Sequence, residues 1–401
     1  MPKITILKKT NLQEDNWHSM LISLFRGWAA LEVAAAHLRA MSYPGFGEVA
    51  NPPVLFVGLA FSTGFAYLAV MVFFVLSGWL VGGSFLNKMD SDRALQHYAV
   101  DRVSRLWVVL VPTFVVALLA GGVIGAVDPG RVSLSADDPY SVSAFIGNMF
   151  GLQTILVPSF GENFPLWSLA NETWYYVLFP LLVLVFRGRS IAWRASALLA
   201  IGAIVQLVTP EIILYFSIWL LGVAFSRVKI EAGPVLRWVL LILAAGSAVL
   251  IRLKGTNEFN LESYPQFLMF SLLFGLFLSS MQFKRQPSSK LDRLDRTGKF
   301  FADFSFTLYV LHVPMIFVMV YLMPSLLGTS KLSPHILSHY LVYVAMFLVL
   351  VVGSYLFHLP FEANTGRVRR WVKAQLFARV GTVRTRRQSR AAAEVDISGR
   401  R

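Results

Sequence analysis

RGWAALEVAAAHLRA, residues 26–40, has the composition of a membrane helix apart from Arg26, Glu32 and His37, side chains that hydrocarbon rejects. An α-helix turns by about 100° and rises about 1.5 Å per residue. The eleven-residue step from Arg26 to His37 is therefore three turns plus about 20°, so both groups face one way, roughly 16 Å apart along the axis. Glu32 falls about 140° from His37 and belongs to another face. An ionisable group near the midplane costs about 2.5–3.5 kcal/mol on insertion scales, which makes a functional site the default reading. The bland alternative has Arg26 snorkelling to the membrane rim and His37 at the opposite interface.

The rest of the chain agrees with a membrane reading. Of its 401 residues 56% are hydrophobic and 14% charged, and the mean hydropathy is +0.61, well beyond the roughly 45–50% apolar content of soluble chains. Apolar runs long enough to cross, about 17–25 residues each, are expected at 19–38, 65–86, 106–127, 166–186, 191–208, 211–226, 236–252, 264–281, 303–323 and 339–358. The fold expected is all-α: a polytopic bundle of about ten transmembrane helices. Thr209 and Pro210 alone separate the fifth and sixth runs, so that pair also reads as a re-entrant hairpin.

Of the 36 Lys and Arg residues, thirty fall in alternate loops and the two tails, five in the other loops, and Arg26 within the first run. Such a bias predicts that both termini are cytoplasmic. It divides the chain into a cytoplasmic segment 1–18, a membrane domain 19–360 and a basic cytoplasmic tail 361–401, expected to be disordered from about 380. The net charge of +14 is concentrated in that tail. A polybasic stretch beside a last span is more simply a contact with anionic lipid than with nucleic acid. Cysteine is absent, which rules out disulfides and thiolate chemistry. Of the seven histidines only His335 and His339 stand at i, i+4, with no carboxylate nearby, so no metal site is expected.

Other stretches carry candidate chemistry. FFVLSGWLVGGSF (73–85) holds Gly78-x-x-x-Gly82, a helix-packing pattern. RVSRLW (102–107) sets Arg102 and Arg105 one turn apart at the inner end of the third run, where paired guanidinium groups suit phosphate oxygens, although topology alone also asks for them. In PLWSLANETWYYVLFP (165–180) Glu172 begins an apolar run with Tyr175 and Tyr176 one turn on. FSFTLYVLHVPMI (304–316) lines up Ser305, Tyr309 and His312 as one polar stripe on a greasy helix, and such a stripe faces protein or water rather than lipid. The segment 128–165, on the outer face by the charge rule, reads as a partly buried cap or binding loop, and 284–300 as a short charged helix.

Taken together, these stretches resemble the acyltransferase family 3 membrane proteins, the O-acyltransferases of bacterial surface polysaccharides and related glycans. Arg26, Gly27, Ala29, Ala30 and His37 look like the family's first-helix R-G-x-A-A motif and its histidine. FFVLSGWL, WSLANETWYY and FSFTLYVLHVP are similar to its later signatures. The match runs from about 20 to 365, with departures at Ser23, Leu24 and Glu32, at Pro112, which stands later after Arg105 than the family pattern has it, and beside Glu362, where a proline is missing. The resemblance implies a multi-pass protein of the bacterial inner membrane. It would move an acyl group, most commonly acetyl, from cytoplasmic acyl-CoA to a carbohydrate hydroxyl, without a metal. It also implies His37 as general base or acyl relay, and Arg26, Arg102 and Arg105 as holders of the donor phosphates. Glu172 would orient His37 or steady its imidazolium, and Tyr309 and His312 would line the channel. The competing expectation is a secondary transporter with a buried His/Glu/Arg site, against which stands the absence of inverted repeats and paired broken helices.

Overall fold

The computed structural model describes residues 2–377 apart from 11–14, 129, 131, 255–257 and 287. Apolar stretches free of water must satisfy their backbone internally, and in a single segment only a helix does so. The molecule is accordingly a helix bundle. Its elements are α1 (Trp17–Ser42), α2 (Val54–Ser62), α3 (Ala66–Ser77), a π-helical turn (Gly78–Gly82), α4 (Gly83–Lys88), α5 (Ala94–Val123), α6 (Val142–Met149) and α7 (Leu166–Arg187). They are followed by α8 (Ile191–Leu207), α9 (Pro210–Phe225), α10 (Pro234–Lys254), α11 (Tyr264–Ser280), α12 (Ser289–Asp303), α13 (Ser305–Leu327) and α14 (Leu337–His358).

Each expected span lies on an apolar helix, but their lengths divide them. Seven helical stretches among the described residues are long and apolar enough to cross a membrane; α8, α9 and α11 are shorter apolar helices. With 17, 16 and 17 residues, these three rise about 24–26 Å, less than a hydrocarbon core of about 30 Å. The only sheet among the described residues is a two-stranded antiparallel ribbon, β1 (Lys3–Ile6) on β2 (Val228–Glu231). Both strands alternate polar and apolar residues, with Ile4 opposite Ile230 and Ile6 opposite Val228, but at four residues each they are too short to announce the pairing.

Segments that the charge bias assigns to one side do meet at one end of the bundle. Besides β1 and β2, Asn16 pairs with Lys284, and Asp101 takes Lys373 at 2.6 Å and Arg369 at 3.7 Å. At the other end Arg39 donates to Thr63, Arg252 to the carbonyl of Ala60 and Lys331 to that of Met41. Residues 365–377 of the basic tail are helical and fastened to α5 by the Asp101 pairs; the disorder expected from about 380 lies outside the described residues.

Small residues set the closest approaches. A Cβ on Gly78 would stand 1.9 Å from the Trp219 carbonyl oxygen, and one on Gly222 2.0 Å from that of Val75. The two glycines thus let the α3 segment and α9 pack backbone to backbone, the structural role expected of Gly78-x-x-x-Gly82. The core of large rings lies beside this crossing, with Trp79, Trp219, Phe74 and Tyr175 all buried. Gly27 does the same for α1: a Cβ there would meet Phe301 Cβ at 2.6 Å. That approach sets α12 on α1 and brings the α12–α13 junction to Arg26. Charged α12 buries its small positions Gly298 and Ala302; Gly298 meets Leu24 of α1.

Candidate active site

Helix α1 runs unbroken through both of its expected site residues, so they share the face that the periodicity demands, and that face lies along α13. Arg26 donates to the Ala302 carbonyl and to Ser305 Oγ, each at 3.4 Å. Three turns on, His37 Nδ1 lies 2.8 Å from Nε2 of His312. The two contacts advance together along the chains, so the helices are parallel. The polar stripe Ser305, Tyr309, His312 is thereby turned towards α1 and α7: Tyr309 Oη lies 2.5 Å from Ser168 Oγ and donates to the Pro165 carbonyl at 3.1 Å.

A cavity of about 340 Å³ lies between α1, α3, α5, α7 and α13, and Arg26, Arg102, Arg105, Glu172 and Tyr309 all line it. Five of the seven site residues read from the sequence therefore converge on one space. Its volume is near the lower end of ligand pockets, about 300–1,000 Å³. Asp303, another lining residue, is exposed, so the cavity communicates with the end of the bundle where α12 joins α13. His37 and His312 lie beyond Tyr309, the ring of which lines the cavity and stands 6.0 Å from that of His312.

The three arginines are held differently. Arg105 pairs with Glu362 at 2.8 Å, its side chain still 31% exposed and that of Glu362 only 1%; its guanidinium also sits over Phe306. Glu362 accepts at the same time from the Thr307 amide and hydroxyl, at 3.0 and 2.7 Å. It thus ties the segment after α14 to the first turn of α13, where a carboxylate also suits the helix dipole. Arg102 lies over the rings of Tyr98 and Tyr176, 5.9 and 5.5 Å from their centres. Among the described residues neither Arg26 nor Arg102 has a carboxylate at ion-pair distance, which leaves two cationic forks facing the cavity. Such forks bind oxyanions.

Glu172 departs from its expected part. Its carboxylate accepts from Ser77 Oγ and, at 2.6 Å, from Tyr176 Oη, and Ser77 in turn accepts from Trp219 Nε1 at 3.1 Å. Glu172 is thus the centre of a network on the cavity wall, and the partner of His37 is His312. Of the two tyrosines expected beside Glu172 only Tyr176 joins it; Tyr175 packs among Phe74, Phe216 and Trp219. Ser77 and Ser168 were not singled out by the sequence, although Ser168, Glu172 and Tyr176 stand at i, i+4 and i+8 on one face of α7.

The segment between α6 and α7 folds against α13 as a cap. Pro314 has no N–H to give the Val310 carbonyl one turn back, and Asn163 Nδ2 fills that place at 2.7 Å. The anchor sets Phe164 against His37, ring centres 4.8 Å apart and edge to face. Within the cap Asn148 holds the Phe160 amide and the Pro158 carbonyl.

The model of a family described as an acyltransferase domain matches residues 22–359. That is most of the chain, which belongs to acyltransferase family 3 and is a membrane acyltransferase. Membership decides for the enzyme over the transporter. Comparison with curated proteins and with solved structures gives no match.

Proposed function

We propose that this acyltransferase takes an acyl group, acetyl above all, from cytoplasmic acyl-CoA and gives it to a hydroxyl of a carbohydrate acceptor such as an exopolysaccharide, O-antigen or lipid-linked glycan. The observation that carries the reading is the convergence of Arg26 and Arg102 on a cavity that ends one helical turn short of a histidine pair. In this reading ten helices cross the bacterial inner membrane, both termini are cytoplasmic, and the basic tail lies against anionic lipid. The donor enters beside Asp303 with its phosphates on Arg26 and Arg102. Arg105, already paired with Glu362, adds field more than direct contact. A cavity of this size takes the pantetheine arm and leaves the nucleotide at the mouth. Glu172 keeps Tyr176 and Ser77 fixed along the arm's wall, while Tyr309 and His312 line the way to His37.

The chemistry needs little else. An alcohol attacks a thioester poorly until its proton is removed, and a neutral imidazole is suited to removing it near pH 7. His37 takes the hydroxyl proton as the oxygen bonds to the thioester carbon; the carbon–sulfur bond breaks, and the departing thiolate receives that proton. Two measurements test the reading together. Purified protein in nanodiscs is expected to transfer label from [14C]acetyl-CoA to glycan, and glycan mass spectra of cells lacking the gene are expected to lose acetyl groups. Unchanged glycans together with no turnover of acetyl-CoA would overturn it.

A further inference from the structure

We propose that His312 is a positioning residue that fixes which nitrogen of His37 carries the proton. The proposal rests on the base assigned to His37 above and adds the device that prepares it.

His312 Nδ1 lies 3.1 Å from the Leu308 carbonyl oxygen, one turn back on its own helix, and a carbonyl oxygen only accepts. In the neutral ring the proton is therefore on Nδ1, which leaves Nε2 a bare acceptor. Nε2 is the atom 2.8 Å from His37 Nδ1. The ring centres are 5.1 Å apart and the planes differ by 12°, so the rings meet edge to edge in nearly one plane, the arrangement of an in-line hydrogen bond. His37 must supply that bond's proton from Nδ1. Its other nitrogen, Nε2, then holds the lone pair, and among the described residues Nε2 has no hydrogen-bond partner.

Reversing the bond would aim two lone pairs at each other, His312 Nδ1 against the Leu308 carbonyl, inside a residue that is fully buried. A buried acceptor without a donor is strongly disfavoured. The relay Leu308 O···H–Nδ1 His312 Nε2···H–Nδ1 His37 is thus polarised in one direction by the backbone of α13. When His37 Nε2 accepts the hydroxyl proton, the positive ring strengthens its bond to His312 Nε2, and no second proton moves. An oriented carboxylate commonly has this part beside a catalytic histidine. Here a second imidazole, itself oriented by a carbonyl, takes its place, and Glu172, bonded elsewhere, is not required for it.

The test reads tautomers and rates separately. In solid-state NMR of 15N-histidine protein in bilayers at neutral pH, with resonances assigned through the single variants H37Q and H312Q, both residues are expected to be protonated at Nδ1 and bare at Nε2. Protonation of His37 at Nε2 in the wild type would overturn the proposal, and that reading needs no active preparation. In turnover, H312F is expected to lose about 10²-fold in kcat with an unchanged KM for acetyl-CoA. H312Q, the side-chain carbonyl of which still accepts from His37 Nδ1, is expected to recover at least a third of the lost activity on a logarithmic scale. A folded H312F with wild-type kcat, or H312Q no better than H312F, would also overturn it. Absence of acyl transfer by the wild type with the tautomers as stated would strike the proposed reaction and leave the relay standing.

Discussion

Two faces of α1 carry ionisable groups, and they have opposite fates. Arg26 and His37 look onto α13, where Arg26 lines an open cavity and His37 keeps one ring nitrogen uncommitted. Glu32 looks the other way, towards the break between α2 and α3. There its carboxylate accepts from the Phe65 amide at 2.8 Å, while Arg39 donates to Thr63 at 2.9 Å and Arg252 to the Ala60 carbonyl at 2.9 Å. Gly64 makes room for this knot, since a Cβ on it would fall 1.8 Å from Arg252 Nε. The chain leaves helical geometry at Thr63–Phe65, and the freed backbone groups need partners where water is scarce. Charge on one face is therefore available to a ligand, and on the other it is spent on the backbone. An ionisable residue in an apolar helix thus indicates function only when its partners leave it capacity.

This contrast sets the order of effects. His37→Ala is expected to lower kcat about 10²–10⁴-fold, the range for removal of a general base, with acetyl-CoA binding retained; wild-type turnover in that variant would put the base elsewhere. Arg102→Ala, which removes a fork from the cavity without breaking an ion pair, is expected to raise KM for acetyl-CoA roughly tenfold, equivalent to about 1.4 kcal/mol, with kcat little changed. A change confined to kcat would mean that Arg102 does not hold the donor. Across the helix, Glu32→Ala is expected to cost on the order of 1–3 kcal/mol of stability through the orphaned Phe65 amide. Thermal unfolding in detergent would report that loss, and kcat/KM per folded molecule should stay within about twofold; a large catalytic defect would erase the distinction between the faces. The smallest effect belongs to Asp101→Asn. It loosens the partly buried pairs with Arg369 and Lys373 at the bundle's end, is expected to cost about 1 kcal/mol, the upper end of the range for surface pairs, and should leave turnover untouched.

Much of this was legible in the residues. Hydropathy marks the helices of all ten expected runs, because burial of backbone in hydrocarbon leaves the chain no other local structure; the nine residues of α2 were too short a run to be read as a span. The 3.6-residue period aligns Arg26 with His37, and Ser305 with Tyr309 and His312, because each set lies on one unbroken helix. Positions where two helices meet were harder. Nothing along the chain indicates that Glu172 would find Ser77 rather than His37, since that depends on the depth at which α7 and α3 cross. Glu362 stands in the sequence without its usual neighbouring proline, and nothing local shows that it holds Arg105 and the start of α13. The β1–β2 ribbon pairs segments more than two hundred residues apart through strands of only four residues, and α8, α9 and α11 are separated from full spans by only a few residues of length.

A cryo-EM structure in lipid nanodiscs with a non-hydrolysable acyl-CoA analogue bears most directly on the central claim. The account predicts pantetheine density in the cavity between α1, α5, α7 and α13, phosphates at Arg26 and Arg102, and the acyl carbonyl directed past Tyr309 towards His37 Nε2. Density instead beside Arg187, Arg189 and Trp193, in another cavity between α4, α5 and α7, would contradict it.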